Sequence, residues 1–332
     1  MEIPVGRLHY ATYFDRHYLS RGLAMYRSLA RHSPQFELWA LCLDDRTHRT
    51  LSHLRLDHVN LIRLAELERA DSALRAVKRE RTLLEYYWTC GPALLLHILE
   101  RCPYVDMLTY LDADLFFFSD PTQIHDELGA ASILLVEMRR SRSSARVSIS
   151  KSIYNVGLLT FRRTPVGLAC LERWREQCLE WCFDRREPDR HGDQKYLEEW
   201  PSRFREVAIS RHKGVGLGPW NLGNYRLRYE CASVWVDDDP LVFYHFARLR
   251  VINRWLYDPA VWEHGEQMGP FVKRHVYAPY ARELRAAGEM IRAVGAEVDP
   301  VDSLRGGSRK LPLLANMVRH GSFLVVSDFL AF

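Results

Sequence analysis

The chain has 332 residues, of which 47% are hydrophobic and 27% charged, a composition typical of a folded globular protein with room for one large α/β domain and an appendage, or for two domains. Its formal net charge of only +4 gives no reason to expect a nucleic-acid partner. The seven cysteines include no C-x-x-C pair, no apolar run reaches membrane-spanning length and the first residues lack a leader pattern, so we expect reduced thiols and a cytosolic protein.

The first part of the chain alternates predicted strands and helices. Predicted strands cover residues 8–14, 36–43 and 59–64. Such alternation predicts a mostly parallel sheet with right-handed crossovers. Ligands of such sheets bind at the carboxyl ends of the strands, which is where Thr12 and Tyr13 lie. No glycine-rich phosphate loop follows any of these strands, so a bound phosphate would need a metal and side chains to hold it.

A run of four charged residues, 78–81, precedes a long helix predicted over residues 82–101, with an interruption near Gly91 and Pro92. Four consecutive charges are commonest on a solvated face. The alternative is that Arg81 reaches a diphosphate from the start of the helix.

The next apolar run, residues 107–118, carries two carboxylates separated by one small residue. We expect it to form a buried strand with Asp112, Ala113 and Asp114 in its middle. A buried carboxylate must be paired, hydrogen-bonded or metal-bound, and hard oxygen ligands suit Mg²⁺ or Mn²⁺. The alternative is an Asp pair that caps the turn at residues 119–121, but the apolar flanks favour a divalent-cation site.

A basic segment follows a predicted helix over residues 123–128 and a predicted strand over residues 132–136. Residues 139–146 are rich in arginine and serine, which predicts a mobile loop. Such a loop can close over an anionic ligand, although disorder alone explains its composition equally well.

Two later segments offer polar groups at the ends of predicted elements. A strand over residues 154–161 opens with Asn155, which can donate and accept hydrogen bonds, and with Gly157, which allows close backbone approach, so both can line a sugar pocket. Asp193 and Gln194 stand at a predicted helix start, where the plainer interpretation is that Asp193 is the N-cap.

The loop at residues 218–224 combines an aromatic platform, Trp220, with an amide, Asn221, a pairing suited to sugar rings and hydroxyls. A late strand over residues 241–246 places His245 near its carboxyl end. A lone histidine there is commonly a core residue, but beside two carboxylates it becomes a candidate third metal ligand.

The composition shifts near residue 270, so we divide the chain into a catalytic domain, residues 1–268, and a C-terminal helical extension with an apolar tail, residues 269–332. The extension contains a helix predicted over residues 280–294 and a linker at residues 306–308. The tail, residues 323–332, can dock on the protein body, on a partner or on an anionic membrane surface. Docking on a membrane is compatible with the expected cytoplasmic location if the surface is the inner face of the membrane. Docking on the body is the simplest of these.

Four motifs occur in a fixed order: Asp112-Ala113-Asp114, the strand at residues 155–161, Gly192-Asp193-Gln194 and Tyr244-His245-Phe246. With them the chain resembles nucleotide-diphospho-sugar glycosyltransferases of the GT-A fold over roughly residues 8–255. It most closely resembles the retaining enzymes of glycosyltransferase family 8 and related bacterial polysaccharide-cluster transferases. The resemblance implies an α/β fold with a Rossmann-like, mostly parallel central sheet flanked by helices.

The resemblance also implies roles for single residues. Asp112, Asp114 and His245 would bind the Mn²⁺ or Mg²⁺ that bridges the donor diphosphate. The donor itself would be held by Ala113 at the ribose, by Asn155, Asp193 and Gln194 around the sugar, and by Thr12 and Tyr13 at the base. One departure concerns the residues after the histidine, where the family carries Gly and then Lys-Pro-Trp. Here Arg248 or Arg250 would replace the phosphate-neutralising lysine.

The implied activity is transfer of a sugar from a nucleoside-diphosphate donor, a UDP-sugar, to a hydroxyl acceptor in the synthesis of a glycan, polysaccharide or glycosylated natural product. Because Gln194 is a poor nucleophile, we expect same-face attack with retention of configuration. Inversion with Asp193 as the base remains an alternative, as does an inactive protein that binds sugar nucleotides or acts as a scaffold. A nucleotidyltransferase would need a glycine- and lysine-rich triphosphate loop, which the sequence lacks.

Overall fold

The computed structural model describes residues 7–33, 35–147, 152–253, 255–298, 317–319 and 323–325. Its strands in chain order are β1 (Leu8–Phe14), β2 (Phe36–Cys42), β3 (Val59–Arg63), β4 (Met107–Leu111), β5 (Leu115–Phe117), β6 (Ile133–Glu137), β7 (Tyr154–Arg162), β8 (Val207–Ile209), β9 (Leu227–Glu230), β10 (Ser233–Val236), β11 (Asp239–Pro240), β12 (Phe243–His245), β13 (Arg250–Asn253), β14 (Leu256–Asp258) and β15 (Leu324–Val325).

The α-helices are α1 (Leu19–His32), α2 (Asp45–Leu54), α3 (Leu64–Ala70), α4 (Ser72–Val77), α5 (Leu83–Arg101), α6 (Thr122–Leu128), α7 (Arg142–Val147), α8 (Pro165–Glu180), α9 (Trp200–Arg203), α10 (Pro270–Val272) and α11 (Ala278–Ala293). Short 3₁₀ helices cover Lys78–Glu80, Lys195–Glu199, Leu222–Asn224 and Val261–His264. A π-helical segment, Lys273–Tyr277, joins α10 to α11.

Seven strands form the central sheet, in the order β3-β2-β1-β4-β7-β6-β8. Strand β1 pairs in parallel with β2 and β4, β2 pairs in parallel with β3, and β6 pairs in parallel with β8. Only β7 runs against its neighbours β4 and β6. The expectation of a mostly parallel central sheet flanked by helices is therefore confirmed.

Both faces of this sheet are covered by helices. Successive residues of a strand point to opposite faces, and in β1 Tyr10 joins an apolar cluster with α1 and α6, whereas Ala11 joins a cluster with α5 and α8. This two-sided burial explains why the strands are almost continuously apolar.

The predicted strand over residues 107–118 is divided by its two carboxylates. It forms β4 in the central sheet, then a turn in which Leu115 N donates to Asp112 O (3.3 Å), and then β5. Strand β5 leaves the central sheet and pairs antiparallel with β12, with His245 opposite Leu115. The expectation of one continuous strand was wrong, because Asp112 and Asp114 occupy a turn, and this turn brings them beside His245.

Two further expectations about local structure were wrong. Helix α5 runs without interruption through Pro92, and it starts at a capping box in which Thr82 and Glu85 satisfy each other's backbone N–H groups. The basic segment predicted as a loop contains α7, where Ser144 N donates to the Ser141 hydroxyl (3.0 Å) at the start of the helix.

The C-terminal region contains the predicted helix as α11, which packs on α1 through ion pairs of Glu283 with Arg27 and Arg31. Strand β15 pairs with β14 at the edge of a three-stranded sheet. The predicted linker at residues 306–308 and the tail residues 326–332 lie outside the described residues. Among the described residues, no helix is long and apolar enough to cross a membrane.

Candidate functional site

Three predicted metal ligands meet where β4 ends and β5 and β12 pair. His245 Nε2 lies 3.1 Å from Asp114 Oδ1 and 3.6 Å from Asp112 Oδ2. One potential ligand atom from each of the three residues lies within 4.8 Å of the other two. Two carboxylates and an imidazole form a donor set that suits a divalent cation such as Mn²⁺, so these residues fit the predicted metal.

Neighbouring groups fix the orientation of these ligands. The Tyr110 hydroxyl donates to Asp112 Oδ1 (2.7 Å), and Asp112 N donates to Gly157 O (2.9 Å). A Cβ at Gly157 would lie 2.7 Å from His245 Cε1 and Nδ1, so only glycine leaves room for the imidazole. The Trp220 ring packs edge-on against His245 with 5.3 Å between ring centroids.

The cluster is electrostatically coupled. Burial raises the pKa of Asp112 against the attraction of the His245 cation, and the charge of Asp114 adds to the rise. For Asp114, the charge and hydrogen bond of His245 outweigh burial and lower the pKa. Burial disfavours the His245 cation, but Asp114 and then Asp112 raise its pKa nonetheless. A divalent cation would therefore compete with a proton for this cluster.

A polar cleft of about 390 Å³ opens over the cluster. We call it the sugar cleft, after the ligand predicted for several of its residues. The predicted site residues that line it are Tyr13, Asp112, Asn155, Asp193, Gln194, Trp220, His245 and Arg248. The structure thus brings together residues from six separate segments of the sequence.

Asp193 and Gln194 enter the sugar cleft from a tight turn. Gly192 has φ +55° and lies against the Trp88 ring, while Trp174 Nε1 donates to the backbone O of Asp193 (2.9 Å). Burial, and then the negative charge of Asp112, raise the pKa of Asp193 to about 7. The following 3₁₀ helix, Lys195–Glu199, has no side-chain cap, so the plain N-cap interpretation of Asp193 was wrong.

A second cleft of about 420 Å³ adjoins the sugar cleft and shares Tyr13, Trp88 and Asp112 with it. We call it the aromatic cleft. Tyr87 and Ala113 also line it. The Asp112, Asp114 and His245 cluster lies where the two clefts meet, since Asp112 lines both.

Besides Gly157, which makes room for His245, three predicted site residues line neither cleft. Thr12 is fully buried in β1, because the alternation of strand side chains turns it away from the face that carries Tyr13. Arg81 donates to the carbonyl of Leu179 (3.1 Å) and lies over the Phe183 ring, so it joins the start of α5 to the end of α8.

Asn221 is the third, and it has a structural role. It is fully buried, its Oδ1 accepts from Gly218 N (3.0 Å), and its Nδ2 donates to the carbonyls of Met138 and Gly216 (both 3.0 Å). Through these three hydrogen bonds, the Asn221 amide holds the loop that carries Trp220 in place.

Of the two arginines predicted to replace the family's lysine, only Arg248 lines the sugar cleft. Its Nη1 lies 2.9 Å from Glu263 Oε2, and its side chain is 66% exposed. Arg250 instead pairs with Glu263 and with the fully buried Asp258 (2.7 Å). Arg250 is therefore a structural residue.

Other residues of the sugar cleft were missed by the sequence analysis. They include Trp88, Arg186, His191, Glu263 and His264. Arg140 also lines this cleft, and it belongs to the basic segment that the sequence analysis considered able to close over an anionic ligand. Trp88 sits in the apolar α5 and cannot be told from a core aromatic by its spacing. Glu263 and His264 lie in a 3₁₀ helix far along the chain from the motifs, so only their contacts with Arg248 and Trp220 connect them to the site.

No family model matches the chain. Among solved structures, it is similar to mouse xyloside xylosyltransferase 1 (12% identity, 73% of this chain and 98% of that chain, TM-score 0.47). It is also similar to galactosyltransferase LgtC in complex with donor and acceptor sugar analogues (14% identity, 86% of this chain and 96% of that chain, TM-score 0.47).

Two curated proteins of Bacillus subtilis (strain 168) are similar in sequence. The uncharacterized protein YfnD is 30% identical over 283 residues, which cover 85% of this chain and 90% of YfnD. The uncharacterized protein YfnF is 32% identical over 251 residues, which cover 74% of this chain and 82% of YfnF. At this identity and coverage, the chain belongs to the same family as YfnD and YfnF.

Proposed function

We propose that the chain is a metal-dependent glycosyltransferase that moves a sugar from a nucleoside-diphosphate donor, a UDP-sugar, to a hydroxyl acceptor. The observation that carries the proposal is the Asp112, Asp114 and His245 cluster at the junction of two clefts. One cleft is aromatic and the other polar, as a ligand with a planar base, a diphosphate and a sugar requires. Such an enzyme serves the synthesis of a glycan, polysaccharide or glycosylated natural product.

The aromatic cleft suits the nucleoside. Tyr13, Tyr87 and Trp88 offer flat ring faces on which a base stacks, and Asp15 offers a carboxylate at the edge of this cleft. Ala113 lines the same cleft between the two metal-ligating carboxylates, where its backbone lies within reach of a ribose.

Asp112, Asp114 and His245 would hold a Mn²⁺ or Mg²⁺ ion, which when bound supplies positive charge next to the donor diphosphate. Arg248 adds a second positive charge from the wall of the sugar cleft. Its exposed guanidinium can turn from Glu263 to a phosphate oxygen as negative charge grows on the leaving group.

Side chains of the sugar cleft orient the donor sugar. Asn155 and Gln194 provide amide groups for its hydroxyls, and both line this cleft together with Asp193. Because an amide is a poor nucleophile, we infer attack of the acceptor on the face from which the diphosphate leaves, with retention of configuration.

The second candidate is an inverting transferase in which Asp193 removes the proton of the acceptor hydroxyl. The observation that favours it is the pKa of Asp193, raised to about 7 by burial and by Asp112, because a general base works best with a pKa near the working pH.

A panel of UDP-sugars incubated with the protein and Mn²⁺ tests the proposal, with released UDP as the readout. We expect one or more donors to be hydrolysed or transferred, and the rate to fall to background when the metal is chelated. The anomeric coupling constant of the product, measured by NMR, then separates retention from inversion. Tight sugar-nucleotide binding without any turnover would contradict the proposed transferase activity. That result would favour the alternative of an inactive protein that binds sugar nucleotides.

A further inference from the structure

A third cleft, of about 610 Å³, lies among the end of α1, strand β5, the β9–β10 hairpin and the C-terminal helices. It shares no lining residue with the sugar cleft or the aromatic cleft. We call it the C-terminal cleft. Nothing in the proposed transfer reaction uses it.

The C-terminal cleft is positively charged. Three arginines line it, Arg31, Arg274 and Arg282, against one carboxylate, Glu283. That carboxylate is 8% exposed and already neutralised, since it pairs with Arg31 Nη2 (2.9 Å) and with Arg27 Nε. Among the described residues, Arg282 has no hydrogen-bonding or ionic partner. The cleft therefore has positive charge in excess of its own carboxylate.

Aromatic rings stand beside these cations. Tyr229 is 52% exposed and stacks on His275 with 4.5 Å between ring centroids and an interplanar angle of 27°. His275 also contacts Phe271, with 4.7 Å between centroids. An exposed tyrosine that stacks on a second ring is held in place and can serve as a platform for a sugar ring.

The segment that carries Arg274 and His275 is π-helical. Single π-helical turns inside helices are rare and occur frequently at functional sites. Here the turn adjoins α11, which carries Arg282, so both cations reach the same cleft from one continuous helical stretch.

We propose that the C-terminal cleft binds an anionic saccharide. One sugar ring stacks on Tyr229, and a carboxylate or phosphate of the ligand binds Arg282 and Arg274, because guanidinium groups bind both anions through paired hydrogen bonds. The shared chemistry is a sugar ring with a negative charge, as in a uronic acid or a sugar phosphate. The site is separate from the cation cluster, so it would hold such a ligand whether or not transfer occurs.

Isothermal titration with three probes tests the proposal: trigalacturonate for the carboxylate, glucose 6-phosphate for the phosphate and maltotriose as a neutral control. We expect at least one anionic probe to bind in low salt, maltotriose to bind at least tenfold more weakly, and added salt to weaken the anionic complex. Which anionic probe binds identifies the charged group.

Variants assign the binding to this cleft. Arg282→Gln and Tyr229→Leu change exposed side chains, and each should weaken the anionic probe at least tenfold. Asp114→Asn, in the cation cluster, and Arg205→Gln, at an exposed site outside all three clefts, should bind it like the wild type. Absence of binding by both anionic probes, equal binding of maltotriose, or unchanged affinity in both Arg282→Gln and Tyr229→Leu would overturn the proposal.

Discussion

Asp193 is a buried carboxyl whose pKa burial and Asp112 raise to about 7, well above the value of about 3.9 in an unfolded chain. The folded protein therefore holds this proton between about pH 4 and pH 7 when the unfolded chain has lost it, so its contribution to stability is present below pH 4 and is lost as the pH rises through 7.

Asp193→Asn removes this titration. Between pH 5 and pH 8, the metal-free wild type should lose about 2–3 kcal/mol of unfolding free energy relative to the variant. Urea denaturation of both proteins at the two pH values measures the difference, in which other titrating groups largely cancel. If the unfolding free energy changed equally with pH in both proteins, Asp193 would be ionised like an exposed carboxylate.

Gly157 makes room for His245, and Gly157→Ala should force the imidazole away from Asp112 and Asp114. We expect Mn²⁺ affinity to fall by about 10- to 100-fold, as when the support of a metal ligand is removed. Gly269→Ala is the matched control, because a Cβ there meets nothing within 4 Å. Equal Mn²⁺ affinity of the two variants, measured by electron paramagnetic resonance, would show that this close approach does not matter.

The two arginines after the late strand should respond differently to the same substitution. Arg248→Gln should change the unfolding free energy by less than about 1 kcal/mol, because the Arg248 side chain is 66% exposed and Glu263 keeps its ion pair with Arg250. The same substitution should weaken UDP binding about tenfold. Arg250→Gln removes the cation that pairs with the buried Asp258 carboxylate and should cost about 3 kcal/mol of stability. Thermal unfolding and UDP titration of both variants check the contrast, and a reversed pattern would exchange the two roles.

At the scale of the elements, strands and helices with a clear apolar period were predictable. Residues 8–14 form β1 with the predicted bounds, and residues 154–161 form most of β7. The division of the predicted strand at Asp112 was not predictable, because it depends on the pairing of β5 with β12, which lies far along the chain. Pro92 was misinterpreted because a buried helix can accept a proline when its packing outweighs one missing hydrogen bond.

The residues of the site also divide into those that could be predicted from the sequence and those that could not. Asp112, Asp114 and His245 could be grouped from their motifs, but the contact itself depends on β12, which carries His245 and pairs with β5 outside the central sheet. Asn221 could not be assigned, because its three backbone partners, at Gly218, Met138 and Gly216, depend on how the loop folds. An asparagine beside a tryptophan has the same sequence pattern whether it binds a sugar or holds a loop.

The loop role of Asn221 has a measurable consequence. Asn221→Ala leaves buried backbone groups without partners and should lower the unfolding free energy by about 2–3 kcal/mol. Asn224→Ala, which removes an exposed amide that donates to Arg139 O (2.6 Å), should cost less than about 1 kcal/mol. Equal and small effects of the two substitutions in urea denaturation would return Asn221 to the list of ligand-binding candidates.

On the scale of the whole molecule, the sheet order places β1 and β4 side by side. Tyr13, near the end of β1, therefore lies close to Asp112, which follows β4. The departure of β5 toward β12 adds His245 from the far end of the chain. The aromatic cleft and the sugar cleft then meet at the three ligands. This arrangement predicts that the affinity of the protein for the nucleotide increases when the cation is bound.

Titration of the protein with UDP, with and without Mn²⁺, tests this central claim most directly. We predict that Mn²⁺ increases UDP affinity at least tenfold in the wild type and in the control Asp126→Asn, which changes an exposed carboxylate on α6. In Asp114→Asn, UDP affinity should be the same with and without the metal. The account would be contradicted if Mn²⁺ did not change the UDP affinity of the wild type, or if Mn²⁺ still increased the UDP affinity of Asp114→Asn.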